Sequence, residues 1–155
     1  MKELPTIFNR KARHDYDILQ SIEAGIALTG TEVKSIRIGR AQLAGSFARI
    51  VRGEVWLLNA HIEEYEFGNR ANHDPKRNRK LLLHRLEIER LAVQSTGRGH
   101  VLVPLKLYFK KGRVKVELAL GKGKTAADKR ETLKRKTAAR EVEQVIRSAQ
   151  KRRGS

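Results

Sequence analysis

VLVPLKLYFKKGRVKVELAL, residues 101–120, decides the fold. Apolar side chains recur at Val101, Val103, Leu105, Leu107 and Phe109, and again at Val114, Val116, Leu118 and Leu120. Spacing of two is that of a strand with one buried face. Lys111-Gly112 lies between the two runs, where the chain can reverse. The stretch therefore reads as two long antiparallel strands sharing an apolar face. Pro104 has no N–H to give to a ladder, so it belongs at an edge or a bulge.

Working outward, YDILQSIEAGIAL at 16–28 alternates in the same way, with Ile18, Ile22, Ala24, Ile26 and Leu28 on one face. A short helix is expected over 31–38. Thr29 and Glu32 have capping-box spacing before it and Gly39 is a stop after it. SFARIVR (46–52) and EVWLLNAHI (54–62) flank Gly53 as a second hairpin. In its second arm Trp56, Leu58, Ala60 and Ile62 are expected to face the core, with Val55, Leu57, Asn59 and His61 wetter. Residues 63–80 read as a long surface loop, and 85–94 as a helix. Five or six short strands with two short helices give a mainly β domain. The expected architecture is a small closed antiparallel barrel of the oligonucleotide-binding kind. This domain occupies residues 1–120.

The remaining residues, 121–155, carry 12 Lys or Arg against 4 Asp or Glu and no aromatic residue. Such a segment cannot bury enough surface to offset the entropy of ordering. It reads as a cationic tail, coil when free and helical when bound. The whole chain is +17 with a pI near 10.7. That charge points to nucleic acid, whose phosphates release counterions as Lys and Arg replace them. A membrane is the other anionic partner, but no run approaches the ~18 apolar residues of a spanning helix. The N-terminus lacks the apolar centre of a signal peptide, and there is no cysteine. A soluble cytoplasmic protein is expected.

Catalytic chemistry finds little support. The five histidines, His14, His61, His73, His84 and His100, have no metal-ligand spacing. Asp15 and Asp17 share a strand face, a weak nuclease-like pair that a solvated edge explains equally well. GKGKT at 121–125 lacks the upstream glycine of a phosphate loop. No catalytic residue, metal or cofactor is assigned. Basic clusters lie at NRKAR (9–13) and PKRNRK (75–80). Tyr16, Tyr65, Phe67, Tyr108 and Phe109 are mostly expected in the core. Shape and phosphate contacts to structured RNA are therefore expected ahead of base stacking. A structural protein of the ribosome and a nuclease are the two rival classes.

NRKARHDY (9–16), EAGIALTGTEVKSIRIG (23–39), PKRNRKLLLH (75–84), VPLKLYFKKGRVKVELALGKGK (103–124) and DKRE (128–131) resemble, in order, the SmpB family of SsrA-binding proteins. The resemblance implies an oligonucleotide-binding-like barrel with a disordered C-terminal tail. It implies binding to the tRNA-like domain of tmRNA (SsrA RNA) and delivery of alanyl-tmRNA to a stalled 70S ribosome. There the body stands in for a missing anticodon arm. The tail enters the vacant mRNA channel at the decoding centre and turns helical. Translation then resumes on tmRNA, and the incomplete protein is tagged for degradation. Elongation factor Tu and alanyl-tRNA synthetase are implied as indirect partners through tmRNA.

The resemblance places RNA-binding positions at Asn9, Glu23, Leu82 and His84. Arg10, Lys11, Arg13, Tyr16, Lys34, Lys76, Arg77, Arg79 and Lys80 join them from the basic clusters and matching motifs. Glu23 accepts hydrogen bonds from base or ribose donors, or orients a nearby Arg, or only pairs with a Lys or Arg across the sheet. Leu82 either wedges against a base or is core. Many relatives carry Asn at the His84 position. Lys122, Lys124, Asp128, Lys129 and Arg130 carry the tail signature. Thr125 replaces a usual Lys and Ala127 a frequent aromatic, and Ala138 lies near the place of a Trp found in some tails.

Overall fold

A computed structural model describes residues 3–124, without the Asn69 side chain. Nine strands and three α-helices follow in the order β1 (Ile7–Phe8), α1 (Arg10–Asp15), β2 (Tyr16–Ile26), α2 (Gly30–Arg37), β3 (Ala41–Gln42), β4 (Phe47–Val51), β5 (Glu54–Leu58), β6 (His61–Ile62), β7 (Arg79–Leu82), α3 (Arg85–Gln94), β8 (His100–Lys110) and β9 (Arg113–Gly123). All pairings are antiparallel. The main sheet runs β8-β4-β5-β7-β2-β9, and β9 pairs back onto β8, so six strands form a closed ring. β1 flanks β8, while β3 and β6 pair separately. The mainly β, oligonucleotide-binding-like architecture expected from the alternation is the one observed.

Both expected hairpins form. Arg52-Gly53 and Lys111-Gly112 have φ of 50, 77, 51 and 78°, positive at both turn residues. That is the type I′ geometry, whose twist matches the strands it joins. β9 runs to Gly123, so the paired body extends three residues beyond the expected boundary at Leu120.

Two strands depart from their expected faces, each for a backbone reason. The β8–β9 register shifts between Pro104 and Lys106, a bulge at the proline. Leu107 and Phe109 join the main core with Val114, Val116, Leu118 and Leu120. Val101, Val103 and Leu105 instead pack outside the ring with Ala119, beneath Ala12 of α1. One apolar stripe in the sequence thus serves two cores. On β5, Val55 and Leu57 are fully buried, while Trp56 and Leu58 are only partly buried. The expected phase is inverted there because Asn59 takes a φ of 62°. This kink restores inward-facing Ala60 and Ile62 on its far side.

Within 63–80, expected as loop, β7 supplies the ring strand between β5 and β2. Its first residue, Arg79, was expected at an RNA surface and is instead fully buried. The cause is Glu32, also fully buried on α2. Glu32 completes the α2 capping box by accepting from the Thr29 N–H at 2.8 Å. It also pairs with Arg79 Nε at 2.5 Å and Arg77 Nη2 at 2.6 Å. Arg79 Nη1 donates to the Ala60 carbonyl at 2.9 Å and Nη2 to that of Pro75 at 3.0 Å. Burial alone would raise the Glu32 pKa. Hydrogen bonds from Arg77, the Thr29 backbone and Arg79 outweigh it and hold the carboxyl below its ordinary 4.5.

Replacing Glu32 with Gln leaves a buried guanidinium without its counter-charge, an effect of about 3–5 kcal/mol. Equilibrium denaturation should register that loss. The stability that ionised Glu32 contributes is complete above pH 4.5 and disappears as pH falls through its lower folded value. The acid limb of stability against pH should therefore be shallower in Glu32→Gln than in the native chain.

Candidate nucleic-acid interface

The tip of the β8–β9 hairpin and the outer face of β2 enclose a cleft of about 460 Å³. Ala24 and Ile26 point inward, so Glu23 points out. Glu23 Oε1 accepts from Tyr108 Oη at 2.7 Å, and Oε2 from Lys110 Nζ at 3.1 Å. Lys111, Arg113 and Lys115 line the rest of the cleft. Lys106 Nζ lies 5.1 Å from the Tyr108 ring centroid. The hydrogen bonds from Tyr108 and then Lys110 hold the Glu23 carboxyl below its ordinary value. Burial, and then Glu23 itself, raise the Tyr108 phenol above 10. At neutral pH the cleft thus holds one fixed carboxylate among cations. The cations suit phosphate oxygens, and the spare carboxylate lone pairs suit a base N–H or a ribose 2′-OH.

Glu23 pairs in register with Glu117 of β9, whose Oε1 lies 3.4 Å from Arg13 Nη2. This link joins the cleft to α1, where Arg10, Lys11 and Arg13 are exposed. Asn9 holds that helix in place. It is buried, caps Ala12 N–H at 3.2 Å, and donates to the carbonyls of Pro104 at 2.8 Å and Leu43 at 3.3 Å. Tyr16 is half-buried against Gly121, where a Cβ would stand 3.0 Å from the Tyr16 Cβ. Its phenol is raised by burial and by Asp15. A larger cleft of about 750 Å³ opens beside α1, with Lys11, Tyr16, Arg49 and His100 on its walls.

The 75–80 cluster divides. Lys76 is exposed; Arg77 and Arg79 serve Glu32, and Lys80 pairs with Glu54 at 2.5 Å. Leu82 is half exposed beside Gly25 rather than core, and its Cβ would meet a Cβ on Gly25 at 3.1 Å. His84 is the exposed N-cap of α3, its N–H donating to Glu87 at 2.9 Å. Lys34 is exposed on α2. Lys122 is exposed on β9, and the Lys124 N–H donates to the Asp15 carbonyl at 3.1 Å. Asp128, Lys129 and Arg130 lie outside the described residues. Asp15 contacts His14 Nδ1 at 2.9 Å. No His, Cys, Asp and Glu cluster among the described residues is arranged to hold a metal ion.

Sequence reading did not nominate Tyr108, Lys110, Lys111, Arg113 or Lys115. The signal was present, since Lys106, Tyr108, Lys110, Arg113 and Lys115 occupy the polar phase of the hairpin on either side of its turn. Attention to its apolar phase hid them.

A family model described as "SmpB protein" matches residues 6–148. The SsrA-binding protein of Carboxydothermus hydrogenoformans is 60% identical over 140 residues, spanning 90% of this chain and 94% of its own length. That of Bacillus subtilis is 59% identical over 143 residues, 92% of each chain. A chain from a solved structure, "tmRNA-SmpB: a journey to the center of the bacterial ribosome", aligns with a TM-score of 0.69 and 53% identity, over 82% of this chain and 93% of its own. A family-model match over residues 6–148, with identities near 60% over nine-tenths of the chain, leaves one assignment: the chain belongs to the SmpB family.

Proposed function

We propose that this chain binds the tRNA-like domain of tmRNA and delivers it to stalled ribosomes for trans-translation. Incomplete proteins are thereby tagged for degradation and the ribosome is released. The chain acts as an RNA-binding factor and not an enzyme. The observation that carries this reading is Glu23, a carboxylate pinned by Tyr108 and Lys110 in an otherwise cationic cleft. Unselective affinity for phosphate would be greater without it, because it subtracts from the positive field. Its value lies in discrimination, where donors on a folded RNA meet its lone pairs while Lys111, Arg113 and Lys115 hold the neighbouring backbone. Arg10, Lys11, Arg13, Tyr16, Lys76, Leu82 and His84 extend the same contact. Asn9 and Arg79 act from within by fixing α1 and β7.

The division of labour continues into the C-terminal segment. Lys122, Lys124, Asp128, Lys129 and Arg130 contact the decoding centre and the empty mRNA channel. The segment beyond the body becomes helical there and reports that no codon is present. Elongation factor Tu and alanyl-tRNA synthetase reach the complex through tmRNA. The site of action is the cytoplasm. Among the described residues, no helix is long and apolar enough to cross a membrane.

Two measurements test this reading. In gel-shift titrations, Glu23→Ala should weaken tmRNA binding several-fold while strengthening binding to generic duplex RNA. Gains for both RNAs would reduce Glu23 to a charge-balancing residue. Truncation should be made after Lys124, since residues through Gly123 belong to β9. A chain ending there should bind tmRNA nearly as well as the intact one but fail to support tagging in a reconstituted translation reaction. Tagging at the intact rate would remove the tail from the mechanism.

A further inference from the structure

The loop between β6 and β7 holds an aromatic residue that the fold does not use. Phe67 is 72% exposed. It stands against Tyr65 edge to face, with ring centroids 5.6 Å apart and planes at 70°. Lys34 Nζ lies 5.5 Å from the Tyr65 centroid. Tyr65 is thus held by a cation and an aromatic edge, while most of the Phe67 ring is left to solvent.

Local bonding keeps this arrangement in place. Asn72 Oδ1 accepts from the Tyr65 N–H at 2.9 Å, and its Nδ2 donates to the Tyr65 carbonyl at 2.6 Å. The Gly68 N–H donates to the same carbonyl at 2.9 Å. Ser35 Oγ on α2 donates to the Glu63 carbonyl at 2.7 Å. His73 bridges Thr31 Oγ1 and the Ile62 carbonyl, each at 2.8 Å. A Cβ on Gly68 would come within 2.7 Å of Asn72 Nδ2 and 2.9 Å of Thr31 Cγ2, so the loop seats closely on α2. An exposed ring on so well-bonded a loop loses little freedom on binding, which favours a flat apolar partner. On a chain of net charge +17, with Lys34 beside it, the matching chemistry is a nucleobase on its phosphate backbone.

We propose that Phe67 is a stacking platform for an unpaired base of tmRNA, with Tyr65 fixing the ring and Lys34 serving the adjoining phosphate. The assignment rests on the proposed function, in which the folded body holds tmRNA. It adds a base-stacking contact to an interface made mostly of charge and hydrogen bonds.

Stacking and charge separate in a salt series, because the slope of log K against log salt counts phosphates and not stacked bases. Full-length chains are titrated with tmRNA at several salt concentrations. Phe67→Ala should bind roughly tenfold more weakly at every salt, with the native slope. Lys34→Ala should flatten the slope by about one phosphate contact. Phe67→Trp should keep native affinity, and its indole should be quenched on binding beyond any change shown by Trp56 in the native chain. Thermal melts of the variants should match the native one, since Phe67 buries little. Native affinity and slope in Phe67→Ala would overturn the platform, as would an unquenched indole in Phe67→Trp. A defect seen only on stalled ribosomes, with tmRNA affinity intact, would also overturn it by moving the base to ribosomal RNA. The two readings fail differently. A native chain that binds tmRNA no better than generic duplex RNA removes the proposed function itself; a selective native chain with an indifferent Phe67→Ala removes the platform alone.

Discussion

The buried carboxylate of Glu32 is the constraint around which one end of the molecule is organised. It caps α2 through Thr29, anchors Arg77 at the surface, and neutralises Arg79 in the interior. Arg79 in turn holds the carbonyls of Ala60 and Pro75, groups on either side of the 63–74 loop. A buried ion pair is not in itself a source of stability, since desolvation of both charges opposes it. Here the geometry favours it because nearly every donor of Arg79 finds an oxygen. The result is positional. α2, the start of β7 and the ends of the long loop are tied to one point.

Two glutamates therefore use cations in opposite ways. Glu32, with no exposure, consumes two arginines to build the body. Glu23 keeps about a third of its side-chain surface and orients Tyr108 and Lys110, the lysine retaining about half of its own. Net charge does not distinguish these roles. Of the cations in the 75–80 cluster, only Lys76 is free of a carboxylate partner among the described contacts. The hairpin tip, less conspicuous in sequence, keeps Lys111, Arg113 and Lys115 beside an open cleft. The field that meets an RNA is set by the cations left over after folding.

The same distinction explains what could be read from residues alone. Period-two runs located β2, β8, β9 and the β4–β5 hairpin, because one buried face leaves a local imprint. The Thr29–Glu32 spacing located α2 for the same reason. The phase of β5 was lost because one residue, Asn59, takes a positive φ that no neighbour announces. The two-sided burial of β8 was lost because α1 covers its outer face, and that contact is made across about ninety residues of chain. Arg79 was misplaced at the surface because its partner lies 47 positions away. Family resemblance supplied Glu23 and Leu82, yet only the fold shows Tyr108 and Lys110 on the first and solvent around the second.

The junction between body and C-terminal segment follows from β9. Gly121, Lys122 and Gly123 pair with Ile18, Asp17 and Tyr16, and the Lys124 N–H reaches the Asp15 carbonyl at the end of α1. Lys124, the last described residue, therefore lies against the C-terminal end of α1, the helix that carries the exposed Arg10, Lys11 and Arg13. A chain that continues from that point has its origin fixed relative to any RNA held by the body. Under the proposed function, tmRNA binding would set where the segment begins on the ribosome. Its search for the channel then becomes intramolecular, at an effective concentration set by its own length. A cationic segment with weak intrinsic affinity can be selective under that condition, since the body supplies proximity and the segment need supply only the test for an empty channel.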